Sequence, residues 1–399
     1  MERSLDRSLL SAARGDGRGW PTPTELADAI ASAELRLLFG DTAEADLALE
    51  ETGWLLLAIA SSSGAVERYG VARQRAAFAV AGHILDLAIR VHGPQSPGLA
   101  WYTFGAQVCA LGSGADPNAV ALSRRSGQPP TERYDLVTDV GRVSLHLGTA
   151  LLGMDTEFLD RHLPGLQAQA ANLRFRWELD SIDHTLFAAT AHCVQGIQHC
   201  YRFLSDGGDL GAACRCFDDA LGAIGAVSDH ASRWVAWHLR RLADQFGASS
   251  IWTALPPSVP DWARRALTHV PPRVMTLWPP QLEFLAPDDS GAPGLLDSSA
   301  RRIVVTMPTS AGKTALAQIA IATHLVTEQT GVCYVAPSRG LCAEIRGDLA
   351  QRLRPLNKSV APERPDWGVG FEGTDTRHNV EVMTRSEERR VGKECRSRW

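Results

Sequence analysis

The chain has 399 residues, 45% hydrophobic and 21% charged, with a formal net charge of −5. That length predicts two or three domains, and the composition is that of an ordinary globular protein. The acidic balance excludes a chain that holds nucleic acid by bulk positive charge; such a partner needs a local basic groove.

No stretch of about 18 uninterrupted apolar residues occurs, so no membrane span is expected. The opening MERSLDRSLLSAARGDGRGW lacks the apolar core of a secretion signal. Eight cysteines in a chain this long predict reduced thiols in a cytoplasm rather than a disulfide framework. Only three lysines occur, Lys313, Lys358 and Lys393, against many arginines, alanines and glycines. This bias fits a GC-rich bacterial genome.

Up to about residue 270 the pattern is helical. Glu25–Phe39, Glu44–Ser61, Val71–Val91, Tyr134–Leu152, Thr156–Arg174, Thr185–Leu204 and His230–Phe246 place apolar residues at i, i+3, i+4, i+7. Gly- and Pro-containing gaps separate them. No fixed repeat period is visible. The spacing predicts a mostly α N-terminal region, a helical bundle or solenoid, over residues 1–255, with a possible division near Ser126–Pro130. Trp54, Trp101, Trp234 and Trp237 suit core packing better than base stacking. His192, Cys193, His199, Cys200, Cys214 and Cys216 gather zinc-type ligands. Their spacing fits no usual zinc pattern, and buried thiols on an apolar helix stripe are the better reading.

Residues 256–275 are proline-rich and read as a linker. Strand and helix then alternate. Ile303–Thr306 reads as a strand, Lys313–Glu328 as a helix and Gly331–Ala336 as a strand. Gly340–Arg354 reads as a helix, and Gly368–Phe371 and Val380–Thr384 as strands. This order predicts a parallel sheet with helices on its faces, over residues 276–384.

The stretch Met307–Thr314, MPTSAGKT, lies where a β-branched run meets an alanine-rich helix. A loop there aims backbone N–H groups and a helix dipole at one spot, which suits polyphosphate. Lys313 then reaches the outer phosphates, and the Thr314 hydroxyl binds Mg²⁺. The usual GxxxxGK[ST] pattern is broken at its first position by Met307. Upstream, LWPPQ ends in Gln281, whose amide can pair with the N6/N7 edge of adenine. Downstream, Pro337, Ser338 and Arg339 follow the second strand; a hydroxyl, a cation and a helix N-terminus together suit a nucleic-acid phosphate.

The ordered set LWPPQ, MPTSAGKT, APSRGLCAEI, VGFEGTD and VEVMT resembles the first motor domain of superfamily two helicases. It is most similar to the DEAD/DEAH-box group, within it the superkiller-type branch. The resemblance spans about Thr276 to Thr384, roughly a quarter of the chain, and implies a partial α/β RecA-like P-loop domain. It implies that Gln281 reads adenine and that Thr309, Ser310, Gly312, Lys313 and Thr314 hold ATP and Mg²⁺, with Lys313 and Thr314 also catalytic. It implies that Pro337, Ser338, Arg339, Gly373, Thr374 and Thr384 contact single-stranded or partly duplex DNA or RNA. The acidic box, the coupling Ser/Thr motif and a second motor domain with its arginine finger are expected beyond Thr384. This chain alone is therefore expected to bind nucleotide without hydrolysing it. The helical region is expected to serve protein or nucleic-acid partners.

The last fifteen residues, RSEERRVGKECRSRW, carry six basic and three acidic residues. They resemble the translated readthrough of a common sequencing adapter, and residues 385–399 are set aside as an artefactual tail of a truncated fragment. Two readings from other classes stay open. One is a regulatory P-loop ATPase with a helical sensor, which requires neither Gln281 nor the PSR turn. The other is a nucleotide-binding helical scaffold.

Overall fold

Thr22 opens the first helix. Its hydroxyl accepts from the Glu25 N–H at 3.3 Å, and the Glu25 carboxylate accepts from the Thr22 N–H at 2.6 Å. This reciprocal cap satisfies donors that a helix start leaves free. In the computed structural model, residues 9–10, 21–40, 47–94, 96, 98–125, 134–136, 139–173, 181–223, 230–271, 273–285, 294–297, 303–307, 312–328, 330–362 and 378–384 are described. The chain forms two compact units. One holds Met1–Tyr201 and Asp209–Asp244; the other holds Arg202–Gly208 and Gln245–Trp399.

The first unit is helical. Its elements are α1 (Pro23–Leu38), α2 (Leu47–Ser61), α3 (Ala65–Tyr69), α4 (Val71–His92), α5 (Leu99–Ser113) and α6 (Asp116–Arg125). There follow α7 (Arg142–Leu152), α8 (Thr156–Leu173), α9 (Ser181–Asp206), α10 (Leu210–Gly222) and α11 (His230–Ser249). α9 and α11 run on into the second unit. No described helix is long and apolar enough to cross a membrane.

At the centre lies α5, buried continuously from Thr103 to Leu111. Phe104 has no exposed surface. Its ring centroid lies 5.1 Å from that of Trp234 and 6.1 Å from that of His238, both edge-on. Trp54 and Trp101 pack against Trp234 at 5.8 Å and 5.1 Å, so three of the singled-out tryptophans join this cluster. A Cβ on Gly148 would stand 2.8 Å from the Phe104 ring, which is why α7 can approach α5 so closely. Cys193 and Cys200 are buried on α9.

Several polar groups inside this unit are paired. Glu50 accepts the Tyr102 hydroxyl at 2.6 Å and lies 2.8 Å from His92 Nε2. Burial, then the hydrogen bond to Glu50, pushes the Tyr102 pKa up to about 12. Ser232 bridges Ser144 at 2.6 Å and Thr190 at 3.1 Å.

His238 is different. Burial, with Arg241 adding repulsion, pushes its pKa down to about 3. The imidazole is therefore neutral in the fold, whereas an unfolded histidine titrates near 6.5. Its contribution to stability is complete above about pH 6.5 and is lost as pH falls towards 3. Burial also holds His146 down, at about 4, in the same window. Urea melts should show stability falling from pH 6.5 downward, and His238→Leu should fall less steeply. Equal slopes would contradict this assignment.

Several helices differ from the sequence expectation. Tyr134–Leu152 was expected as one helix, but α7 starts at Arg142. Gln169 of α8 takes over the backbone before it, accepting the Leu136 N–H at 3.0 Å and donating to the Tyr134 carbonyl at 2.9 Å. Tyr134 and Leu136 are buried all the same, so their apolar pattern reflects burial without a helix. Ser126–Pro130 lies outside the described residues.

The second unit adds α12 (Ile251–Ala254), α13 (Asp261–His269), α14 (Pro279–Leu285), α15 (Lys313–Thr327), β1 (Val332–Ala336), α16 (Arg339–Leu353) and β2 (Val380–Thr384). β1 and β2 pair in parallel, with Val332 opposite Val380 and Ala336 opposite Thr384. α16 buries Cys342, Ile345, Leu349 and Leu353, a stripe of helical period, and α15 buries Leu316, Ile319, Ala322 and Leu325. A mostly α N-terminal region followed by a partial RecA-like α/β domain is thus the observed fold class.

Residues 256–275, read from the sequence as a linker, contain α13 and place Val259, Ala263 and Leu267 in this core. The prolines flank the helix instead of excluding it: Pro260 stands as N-cap, where no N–H is missed. Ile303–Thr306, expected as a buried strand, is not assigned as one. Val304 is 86% exposed. A strand needs a ladder partner, and no described residue pairs with 303–307. Gly368–Phe371 lies outside the described residues.

Candidate nucleotide and nucleic-acid site

Gly312 stands immediately before α15. It has φ +78 and forms the N-cap, a backbone state that costs an L-residue roughly 1–2 kcal/mol. A Cβ there would also stand 2.4 Å from Gln281 Nε2 and 3.1 Å from the Trp278 ring. Gly312→Ala should therefore lower the melting temperature and weaken nucleotide binding together. A variant that kept both would show that the loop does not need this close approach.

Gln281 sits in α14, 3% exposed. Pro279 and Pro280 begin that helix, where no backbone donor is required of them. The Gln281 Oε1 accepts the Trp278 N–H at 2.9 Å, and its Nε2 donates to the Gly312 carbonyl at 3.3 Å. Two motifs 31 residues apart are thus joined by one hydrogen bond. The Gly312 carbonyl also accepts the Leu316 N–H at 3.0 Å, opening the helix. Trp278, within LWPPQ, has no role evident from its residue type and forms the wall beside the glycine.

Lys313 and Thr314 are exposed in the first turn of α15. The Lys313 ammonium donates to the Met307 carbonyl at 2.8 Å, six residues back. Met307, the departure from the usual loop pattern, is buried among the apolar residues of this unit. Its side chain anchors the loop's start in the core, where glycine would leave space. Thr309 and Ser310 lie outside the described residues.

The second group of residues gathers at the carboxyl ends of β1 and β2. Pro337, Ser338 and Arg339 follow β1 directly and are exposed. Ser338 is the N-cap of α16, its hydroxyl accepting the Leu341 N–H at 3.4 Å. Thr384 ends β2 opposite Ala336 and is only 6% exposed. Arg346 of α16, missed by the sequence reading, donates to the Val382 carbonyl at 3.0 Å and ties the helix to β2. Gly373 and Thr374 lie outside the described residues.

A glycine in the left-handed region at the start of a helix, followed at once by Lys and Thr, is the arrangement expected of a P-loop type domain. Residues 291–385 match the family model described as DEAD/DEAH box helicase. This segment is thus similar to the DEAD/DEAH box helicase family, whose members are ATP-dependent nucleic-acid helicases. Gln281 and Trp278 stand upstream of the matched residues. No curated protein matches the chain.

Proposed function

We propose that the second unit binds Mg-ATP and grips a single nucleic-acid strand by its backbone, as a motor domain of an ATP-dependent helicase or translocase. The observation that carries this is the Gln281–Gly312 hydrogen bond. It joins the amide proposed to read adenine to the glycine at the start of α15, which supports an adenine-nucleotide site. The family match over 291–385, which includes Gly312, supports the same reading.

In this reading Gln281 exchanges its bonds to the Trp278 N–H and the Gly312 carbonyl for the adenine edge when nucleotide binds. Gly312 gives phosphate oxygens close access to backbone N–H groups, and Lys313 leaves the Met307 carbonyl to meet the outer phosphates. The Thr314 hydroxyl is a hard oxygen donor in an exposed first-turn position, and it fits Mg²⁺. When bound, that ion neutralises phosphate charge. Thr309 and Ser310 complete the loop. Pro337, Ser338, Arg339, Gly373, Thr374 and Thr384 hold sugar and phosphate, with little readout of bases.

The proposed division gives residues 1–255 an accessory role for protein or nucleic-acid partners, and residues 276–384 the ATP-binding role, in a cytoplasm. The resemblance assigns the water-activating carboxylate to an acidic box that none of the quoted motifs corresponds to, and for this chain we propose ATP binding without turnover. Steady phosphate release by the purified chain would contradict that part. Titration of a fluorescent oligothymidylate and an oligouridylate separates the helicase from a regulatory ATPase. Binding that weakens steeply with salt is expected; no binding of either strand would favour the regulatory reading.

A further inference from the structure

Helices α15 and α16 each begin at one of the two candidate binding turns, α15 at Gly312–Thr314 and α16 at Ser338–Arg339. Their buried stripes are mostly apolar. A directional contact joins them: Arg352 Nε donates to Gln318 Oε1 at 3.0 Å. Gln318 is 4% exposed and Arg352 3%. Burial pulls the Arg352 pKa below the usual arginine range, and Asp348 acts in the opposite sense.

A buried guanidinium is a poor way to gain stability. Its desolvation offsets most of its attraction, and apolar side chains of similar volume would pack as well. What such a contact supplies is register. Apolar stripes can slide past one another, whereas an N–H···O bond between two side chains holds one relative position. Gln318 lies five residues past Lys313, about 7.5 Å along the helix at 1.5 Å per residue. Any shift of the loop is carried to it by an intact helix. Arg352 lies in the last turn of the helix that starts at the PSR turn. Arg346 of that helix also holds the Val382 carbonyl, two residues before Thr384.

We propose that Gln318 and Arg352 are a positioning pair that links nucleotide occupancy of the loop at Gly312–Thr314 to strand binding at Pro337–Arg339. This rests on the helicase reading above. Neither residue touches nucleotide or strand; each acts through the helix that bears it.

The test is the affinity of the whole chain for a fluorescent oligothymidylate or oligouridylate, with and without saturating Mg-ATPγS, alongside the affinity for Mg-ATPγS alone. Wild type is expected to bind the strand about 5-fold or more tightly when nucleotide is present, the usual lower range of coupling between sites. Gln318→Met is expected to bind each ligand alone within about twofold of wild type and to lose the coupling. Gln318→Glu, which keeps an acceptor for Arg352, is expected to retain it. If Gln318→Met does not fold, the double variant Gln318→Met/Arg352→Met removes both polar partners at once, a change that leaves no buried charge. It is expected to fold and to be uncoupled. Coupling that survives in Gln318→Met or in the double variant overturns the proposal. So does wild type that binds both ligands without coupling. Wild type that binds neither ligand overturns the helicase reading, and this inference with it.

Discussion

Lys313→Ala should weaken Mg-ATP binding by about 10- to 100-fold. The lysine offers a charge-assisted bond to the outer phosphates, worth about 1.5–3 kcal/mol, and each 1.4 kcal/mol is about tenfold in affinity. The fold should tolerate the change. The side chain is exposed and gives up its bond to the Met307 carbonyl, a loss of about 1 kcal/mol in stability. Titration calorimetry beside a thermal melt separates the two effects. Unchanged affinity would mean that nucleotide, if bound at all, is not bound at this loop.

Phe104→Ala should have the largest effect on stability, a loss of about 3–5 kcal/mol. The ring is fully buried, meets Trp234 and His238 edge-on, and fills the space that Gly148 leaves on α7. None of these neighbours can collapse into the gap without breaking the aromatic cluster. Urea melts followed by tryptophan fluorescence should show the lower midpoint, because Trp234 reports on the same contact. A loss below about 1 kcal/mol would show that this cluster is not the centre of the helical unit.

Part of this architecture was legible in residue spacing. α15, β1, α16 and β2 begin and end within about two residues of where their periods place them. Each has a clean stripe or a β-branched run, and Ser338 caps α16. α5 was not legible, because a helix buried on all sides has no polar face to set its period. α7 was overextended because Gln169, 33 residues beyond Leu136, takes the backbone bonds that a helix would have used. The run at 303–307 shows the same limit: β-branched residues favour a strand, but pairing is decided by a neighbour.

The site divides in the same way. Gln281, Gly312, Lys313 and the PSR turn could be named from residue types in order. The bond from Gln281 to Gly312, the wall made by Trp278 and the ties made by Arg346 and Arg352 join residues far apart in sequence. Nothing in local composition announces them. Thr309, Ser310, Gly373 and Thr374 lie outside the described residues and remain proposals from resemblance.

The central claim is an adenine-specific nucleotide site built by Gln281 and the phosphate loop. Its most direct test is competition of unlabelled ATP and GTP against a fluorescent adenine nucleotide on the intact chain with Mg²⁺. Saturable binding is expected, with ATP displacing the probe at least about tenfold better than GTP, since a bidentate amide contact carries about 1–3 kcal/mol of base discrimination. Gln281→Ala should erase that preference. Absence of saturable binding, or ATP and GTP competing equally in the wild type, would contradict the claim.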